Sequence, residues 1–222
     1  MVRLPGCILL DLDGTILDSL PGIEGSVRAA FSVCGLPAPQ VGLRAIVGPP
    51  IRTILARAGE ITDEATLDAL ERAFREDYDS KGWQETICFP EAGRVLQRMH
   101  ARGHRLFVVT NKPRSVSLRI LEKEGILQLF EAIVTRDSRR PPYGGKEEMI
   151  GSLLSERALA PKECVMVGDT IEDARAAAQV GIGFICMSHG YGTVDPVSVP
   201  LVCRLASFTQ FLALMGEELV RD

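Results

Sequence analysis

Apolar residues come in two rhythms along this chain. One is a series of short unbroken runs: Cys7-Ile8-Leu9-Leu10, Leu106-Phe107-Val108-Val109, Ala132-Ile133-Val134, Val165-Met166-Val167 and Ile182 to Met187. Without polar alternation, such runs suit strands covered on both faces. Each ends in polar or small residues, and helical patterns lie between them. One helix is expected from near Pro90-Glu91 to Gly103, another from near Pro113 to Gly125, and a third from after Thr170 to Gly181. Their ends are marked by proline or a hydroxyl residue at the start and glycine at the stop. Alternating strands and helices predict an α/β fold with a doubly wound, Rossmann-like parallel sheet and right-handed crossovers.

The second rhythm occupies residues 17–86. Ile23, Val27, Ala30 and Phe31 recur at helical spacing, as do Leu67, Leu70, Phe74 and Tyr78, and no strand is legible there. The expected organisation is a core built from 1–16 and 87–222, with a small all-helical segment, 17–86, inserted after the first strand. Pro/Gly-rich stretches are short: Gly48-Pro49-Pro50 inside the insert, and Pro141-Pro142-Tyr143-Gly144-Gly145 before a further expected helix.

Composition narrows the class. With 222 residues, 46% of them hydrophobic and 24% charged, the chain is one large globular domain or a domain carrying an insert. A formal charge of -4 argues against nucleic acid or an acidic membrane as partner. No apolar run reaches the ~20 residues of a membrane span, and no long apolar stretch precedes Asp11, so a secretory leader is not expected. Six cysteines lie dispersed without a C-x-x-C pair, and the three histidines are scattered. A reduced, cytoplasmic protein is expected, monomeric or homodimeric, without a zinc site or disulfide framework.

The chemistry concentrates at Asp11-Leu12-Asp13-Gly14-Thr15, directly after the first apolar run. In extended backbone, residues 11 and 13 project to one side while Leu12 points away. Two carboxylates about 4 Å apart repel by roughly 4 kcal/mol at an effective dielectric of about 20, so either a cation sits between them or one holds a proton. In an open parallel sheet, ligands bind beyond the carboxyl ends of the strands. Those ends are Asp11 to Thr15, Thr110-Asn111, Thr135 and Gly168-Asp169, a set of hard oxygens suited to Mg2+ and a substrate phosphate. Asp169 is also a normal turn former or N-cap, and Asp173 sits in a first helical turn that favours a carboxylate in any case. Lys146 near a helix start opposes the helix dipole, which points to a carboxylate or phosphate partner.

Four motifs in this order resemble the haloacid dehalogenase superfamily, specifically its phosphatases with a small helical cap. They are Asp11 to Thr15, Thr110-Asn111, Lys146, and Gly168-Asp169 with Asp173. Asp13 to Ser19, Thr110-Asn111-Lys112-Pro113 and Gly48-Pro49-Pro50 look most like the phosphoglycolate phosphatase-like group. The resemblance implies a small phosphorylated metabolite as substrate and an aspartyl-phosphate intermediate. Asp11 would be the nucleophile, and Asp13 the acid that protonates the leaving oxygen and later the base for water. Mg2+ would be held by Asp11, the Asp13 backbone carbonyl and Asp169, with Asp173 beside them. Thr110, Asn111 and Lys146 would hold the phosphate oxygens, and Arg52, after the Gly-Pro-Pro loop, would contact an anionic substrate.

Two departures from the family pattern stand out. Lys146 is followed by Glu147-Glu148 where many relatives have proline, which leaves Lys112 as its rival. Glu91 follows Pro90 where many relatives carry glycine. His189-Gly190-Tyr191-Gly192 resembles a family loop near the core and receives no catalytic role. The alternatives to a phosphatase are a sugar-phosphate mutase with the same carboxylates, and a phosphate-binding regulatory protein with little turnover.

Overall fold

The computed structural model describes residues 4–40, 42–195 and 201–216. The outermost residues of the expected core segments, 1–3 and 217–222, lie outside the described residues, as do 41 and 196–200.

The first apolar run forms β1 (Cys7–Leu10), and the chain then makes a two-residue strand, β2 (Leu17–Asp18). Three helices follow: α1 (Leu20–Val33), α2 (Ile51–Gly59) and α3 (Glu64–Ser80). The chain returns through β3 (Ile87–Cys88), which pairs antiparallel with β2, Leu17 opposite Cys88 and Asp18 opposite Ile87. No strand was legible between 17 and 86; two residues are too few for alternation to register, yet their pairing joins the two crossings of the chain. Beyond them come α4 (Ala92–Ala101), β4 (Arg105–Thr110), α5 (Arg114–Lys123), β5 (Phe130–Thr135), α6 (Lys146–Glu156), β6 (Cys164–Gly168), α7 (Ile171–Val180), β7 (Gly183–Met187), β8 (Cys203–Leu205) and α8 (Gln210–Leu214).

Six strands form one parallel sheet in the order β5-β4-β1-β6-β7-β8. The order reverses at β1, between β4 and β6, and places the ends of β1, β4 and β6 side by side at the crevice where such sheets bind ligands. Side-chain alternation along β1 sends Ile8 and Leu10 into one core layer and Cys7 and Leu9 into the other. Burial on both faces explains why its sequence shows no polar alternation.

Glu91, at the position where the resembled family carries glycine, has left-handed backbone (φ 66°). That conformation costs an L-residue about 1–2 kcal/mol and is one that glycine adopts without a steric penalty. No helix among the described residues is long and apolar enough to cross a membrane.

Candidate active site

Asp11 continues directly from β1, its backbone N–H bonded to the Val167 carbonyl of β6 (3.0 Å). Its side chain is buried, and both carboxylate oxygens are engaged. Oδ1 accepts from the Leu12 N–H (2.8 Å) and Oδ2 from Lys146 Nζ (2.6 Å). Lys146, the first residue of α6, also donates to Asp173 Oδ1 at 2.6 Å and is 1% exposed. A lysine at a helix N-terminus is out of place until these two carboxylates are in view. Burial pulls its ammonium toward neutrality, but Asp11 and then Asp173 outweigh that and hold it above the ordinary lysine value.

Asp169 follows β6 and is fully buried. Its Oδ1 accepts from the Thr15 hydroxyl (3.2 Å), and its Oδ2 accepts the backbone N–H groups of Tyr191 (2.7 Å) and Gly192 (3.1 Å). Gly14, at φ 77°, lets the loop after β1 reach this carboxylate: a Cβ there would meet Asp169 Oδ2 at 2.4 Å. Asp173 has a structural duty beside its bond to Lys146. It closes a capping box with Thr170, its Oδ2 accepting the Thr170 N–H (3.1 Å) and hydroxyl (2.6 Å).

Asp11, Asp169 and Asp173 each bring a carboxylate oxygen within 4.8 Å of the others. One lysine cannot balance three buried carboxylates. The excess registers on Asp11, pushed up to about 7 by burial and by Asp173 and Asp169, against the pull of Lys146. Asp169 is raised as well, by burial and then Asp173, against the two loop N–H groups. Hard oxygens with uncompensated negative charge fit a divalent cation such as Mg2+.

Asp13 does not join this cluster through its side chain. Its carboxylate turns to Lys112, which donates to Oδ1 at 2.9 Å and Oδ2 at 3.2 Å. Lys112 also donates to the Tyr78 hydroxyl at 2.8 Å, so the core carboxylate is tied to the last turn of α3. The two candidate lysines thus serve different carboxylates. Buried Thr110 ends β4 and accepts the Lys112 N–H through Oγ1 (3.3 Å). Asn111 Nδ2 donates to the Gly48 carbonyl (3.2 Å) and to Glu172 (2.9 Å), while its Oδ1 is buried without a partner.

A cavity of about 500 Å³ opens between the sheet's end and the inserted helices, lined by Asp11, Asp13, Thr110 and Lys112 on one side and Phe74, Tyr78 and Arg52 on the other. Arg52 lines it, but its guanidinium is taken by carboxylates of α3: Glu64, Asp68 (2.7 Å) and Glu71 (3.4 Å). The expected role as an anion reader meets a group already neutralised.

Sequence reasoning missed Tyr78, and it placed the His189-Gly190-Tyr191-Gly192 loop near the core without giving it a role. Tyr78 was legible only as an apolar stripe position. The Tyr191 hydroxyl accepts the N–H groups of Ser19 (2.7 Å) and Leu20 (3.0 Å) and donates to Asp18 (2.8 Å), capping α1 in place of the Ser19 side chain. One loop therefore binds Asp169 through its backbone and the first crossing into the insert through its side chain. The signal in sequence was its resemblance to a family loop near the core, with a tyrosine between glycines after a buried strand.

The haloacid dehalogenase-like hydrolase family model matches residues 8–187. The tyrosine-protein kinase PtkA of Mycobacterium tuberculosis is 34% identical over 220 residues, covering 96% of this chain and 73% of the relative. A phosphoglycolate phosphatase of Cereibacter sphaeroides is 31% identical over 195 residues, covering 85% of this chain and 87% of that one. Among solved structures, a haloacid dehalogenase-like family hydrolase from Streptococcus pneumoniae superposes with a TM-score of 0.85 at 25% identity, covering 95% of this chain and 97% of its own. With a parallel sheet of this order and the acidic cluster at its carboxyl end, the chain belongs to the haloacid dehalogenase-like hydrolases, where it groups with the phosphoglycolate phosphatase-like enzymes.

Proposed function

We propose that this chain is a Mg2+-dependent phosphatase that hydrolyses a small phosphate monoester through an aspartyl-phosphate on Asp11. The observation that carries the reading is Asp11 at the end of β1, fixed by Lys146 beside Asp169 and Asp173 and lining the cavity. A carboxylate held by one lysine and one backbone N–H is oriented before substrate arrives.

In the first step an Asp11 oxygen bonds to phosphorus as the ester P–O bond breaks, and Asp13 gives a proton to the leaving oxygen. Water then attacks the same phosphorus, the bond to Asp11 breaks, and Asp13 takes the water's proton. Lys146 and Thr110 contribute charge and hydrogen bonding to the phosphoryl oxygens. Lys112 positions the Asp13 carboxylate. Asp11, Asp169 and the Asp13 backbone carbonyl would hold Mg2+, with Asp173 orienting Lys146 beside it. Bound there, the cation would neutralise charge on the phosphate and draw it onto Asp11. Residues 17–86 would act as the cap on a core of 1–16 and 87–222, excluding bulk water from the reacting phosphate. Six free cysteines support a reducing, cytoplasmic setting.

The kinase name of the mycobacterial relative sets the competing reading, in which the phosphoryl group passes to a hydroxyl other than water. The test is phosphate release from an ester panel of phosphoglycolate, nucleoside monophosphates, sugar phosphates and aryl phosphates, with Mg2+ and with chelator. Release that needs the cation and vanishes in a folded Asp11→Asn variant is expected. Turnover retained by Asp11→Asn removes the nucleophile assignment. Phosphate recovered on an acceptor rather than in solution favours the competing reading.

A further inference from the structure

Four cationic side chains line the cavity: Arg52, Arg75, Lys112 and Arg136. Three are neutralised by the protein itself. Arg52 is held by the α3 carboxylates described above, Arg75 pairs with Glu71 (2.9 Å), and Lys112 pairs with Asp13 (2.9 Å). Among the described residues, Arg136 alone of the four has no carboxylate partner. Its sequence neighbour does not supply one, because Asp137 accepts from the Arg114 N–H (3.0 Å) and the Thr135 hydroxyl (2.7 Å).

Backbone pairing fixes where Arg136 leaves the sheet. It follows the last residue of β5, Thr135, which stands in register beside Thr110 of β4. Its carbonyl accepts the Tyr143 N–H at 3.0 Å, which ties its backbone to the segment leading into α6. The side chain is half-buried at the cavity wall. A partly desolvated guanidinium without a counter-charge gains most from an anion that it can bind through two parallel N–H groups.

We propose that Arg136, rather than Arg52, is the specificity-determining cation: it binds a second anionic group on the leaving-group side of the substrate. The assignment rests on the phosphatase reading and deepens it. It selects phosphate monoesters whose alcohol portion carries a carboxylate or similar acid group over neutral esters of equal size.

The test compares 2-phosphoglycolate with ethyl phosphate, which match in length but differ in the carboxylate, and adds p-nitrophenyl phosphate as a neutral aryl ester. Wild type should favour phosphoglycolate over ethyl phosphate by about ten- to a hundredfold in kcat/KM, the size of one charge-assisted contact. Arg136→Gln should erase that preference by raising KM for phosphoglycolate, and should leave both neutral esters within about twofold. Arg136→Lys should restore part of the preference. Equal losses on charged and neutral esters, no loss on either, or no preference in wild type would overturn the assignment. So would a preference that collapses in Arg52→Gln and survives in Arg136→Gln. If wild type with Mg2+ releases phosphate from no ester in the panel, the phosphatase reading falls and this assignment falls with it. Turnover without the charge preference refutes Arg136 alone.

Discussion

Replacing Lys146 by methionine keeps the length of the side chain and removes its charge from among three buried carboxylates. The ammonium lies 2.6 Å from both Asp11 Oδ2 and Asp173 Oδ1 and is 1% exposed. At an effective dielectric of about 20, each contact contributes at least about 4 kcal/mol of gross attraction, most of it offset by the desolvation of the ions. Removing one partner leaves the rest uncompensated, and the expected loss is about 3–5 kcal/mol of folding stability. Lys112→Met is the internal control. Its partner Asp13 keeps 18% side-chain exposure and can be rehydrated, so a loss of about 1–2 kcal/mol is expected. Urea denaturation of the two variants and wild type measures both numbers. Turnover should separate them as well. Lys146→Met loses the cation beside Asp11, the proposed nucleophile, and should fall at least about a hundredfold in kcat; Lys112→Met should fall less. A Lys146→Met variant within about 1 kcal/mol of wild type, or a larger drop in kcat for Lys112→Met, refutes the division of labour between the two lysines.

Two further perturbations test separate parts of the site. Burial lifts Asp11 from 3.8 to about 7, so its contribution to stability is fully present below about pH 4 and is lost as the pH rises through 7. In metal-free buffer, the wild-type stability minus that of Asp11→Asn should fall across this window by at most about 1.4 kcal/mol per pH unit; a difference that rises is incompatible with a raised carboxylate. Tyr191→Phe strands the Ser19 and Leu20 N–H groups and should cost about 1–3 kcal/mol. Faster amide exchange at residues 19 and 20 should accompany the loss, and unchanged exchange there would show that the hydroxyl does not cap α1.

Much of the core was legible because its strands are covered on both faces and its helices carry punctuated ends. The run Leu106 to Val109 became β4, and Thr170 and Gly181 bound α7 as N-cap and left-handed C-cap. The paired aspartates were legible because packing gives no reason for charge at the end of a buried strand. What stayed hidden depends on contacts between distant residues. β2 and β3 are two residues each, and each exists only through the other, about seventy residues away. Lys112 meets Asp13 across 99 positions and Tyr78 across 34, so no local window displays the triad. The partners of Arg52 were hidden for the same reason. Its place after Gly48-Pro49-Pro50 suggested exposure to substrate, while the α3 carboxylates that neutralise it lie 12 to 19 residues further on.

The electrostatic question raised by Asp11 and Asp13 resolves differently for each. Asp13 pairs with Lys112 outside the buried cluster and keeps some access to water. Asp11 shares a single lysine with Asp173 and stands near Asp169, an arrangement that leaves two negative charges uncompensated in a buried cluster. That imbalance is expressed as affinity for a proton, with Asp11 titrating near about 7. The same imbalance is what a divalent cation would neutralise, so protons and the proposed Mg2+ would compete for one set of charges. Cation affinity should therefore weaken as the pH falls below about 7, and in the same window where the metal-free protein gains stability. An Asp11 titration that Mg2+ leaves unmoved would separate the two and place the cation elsewhere.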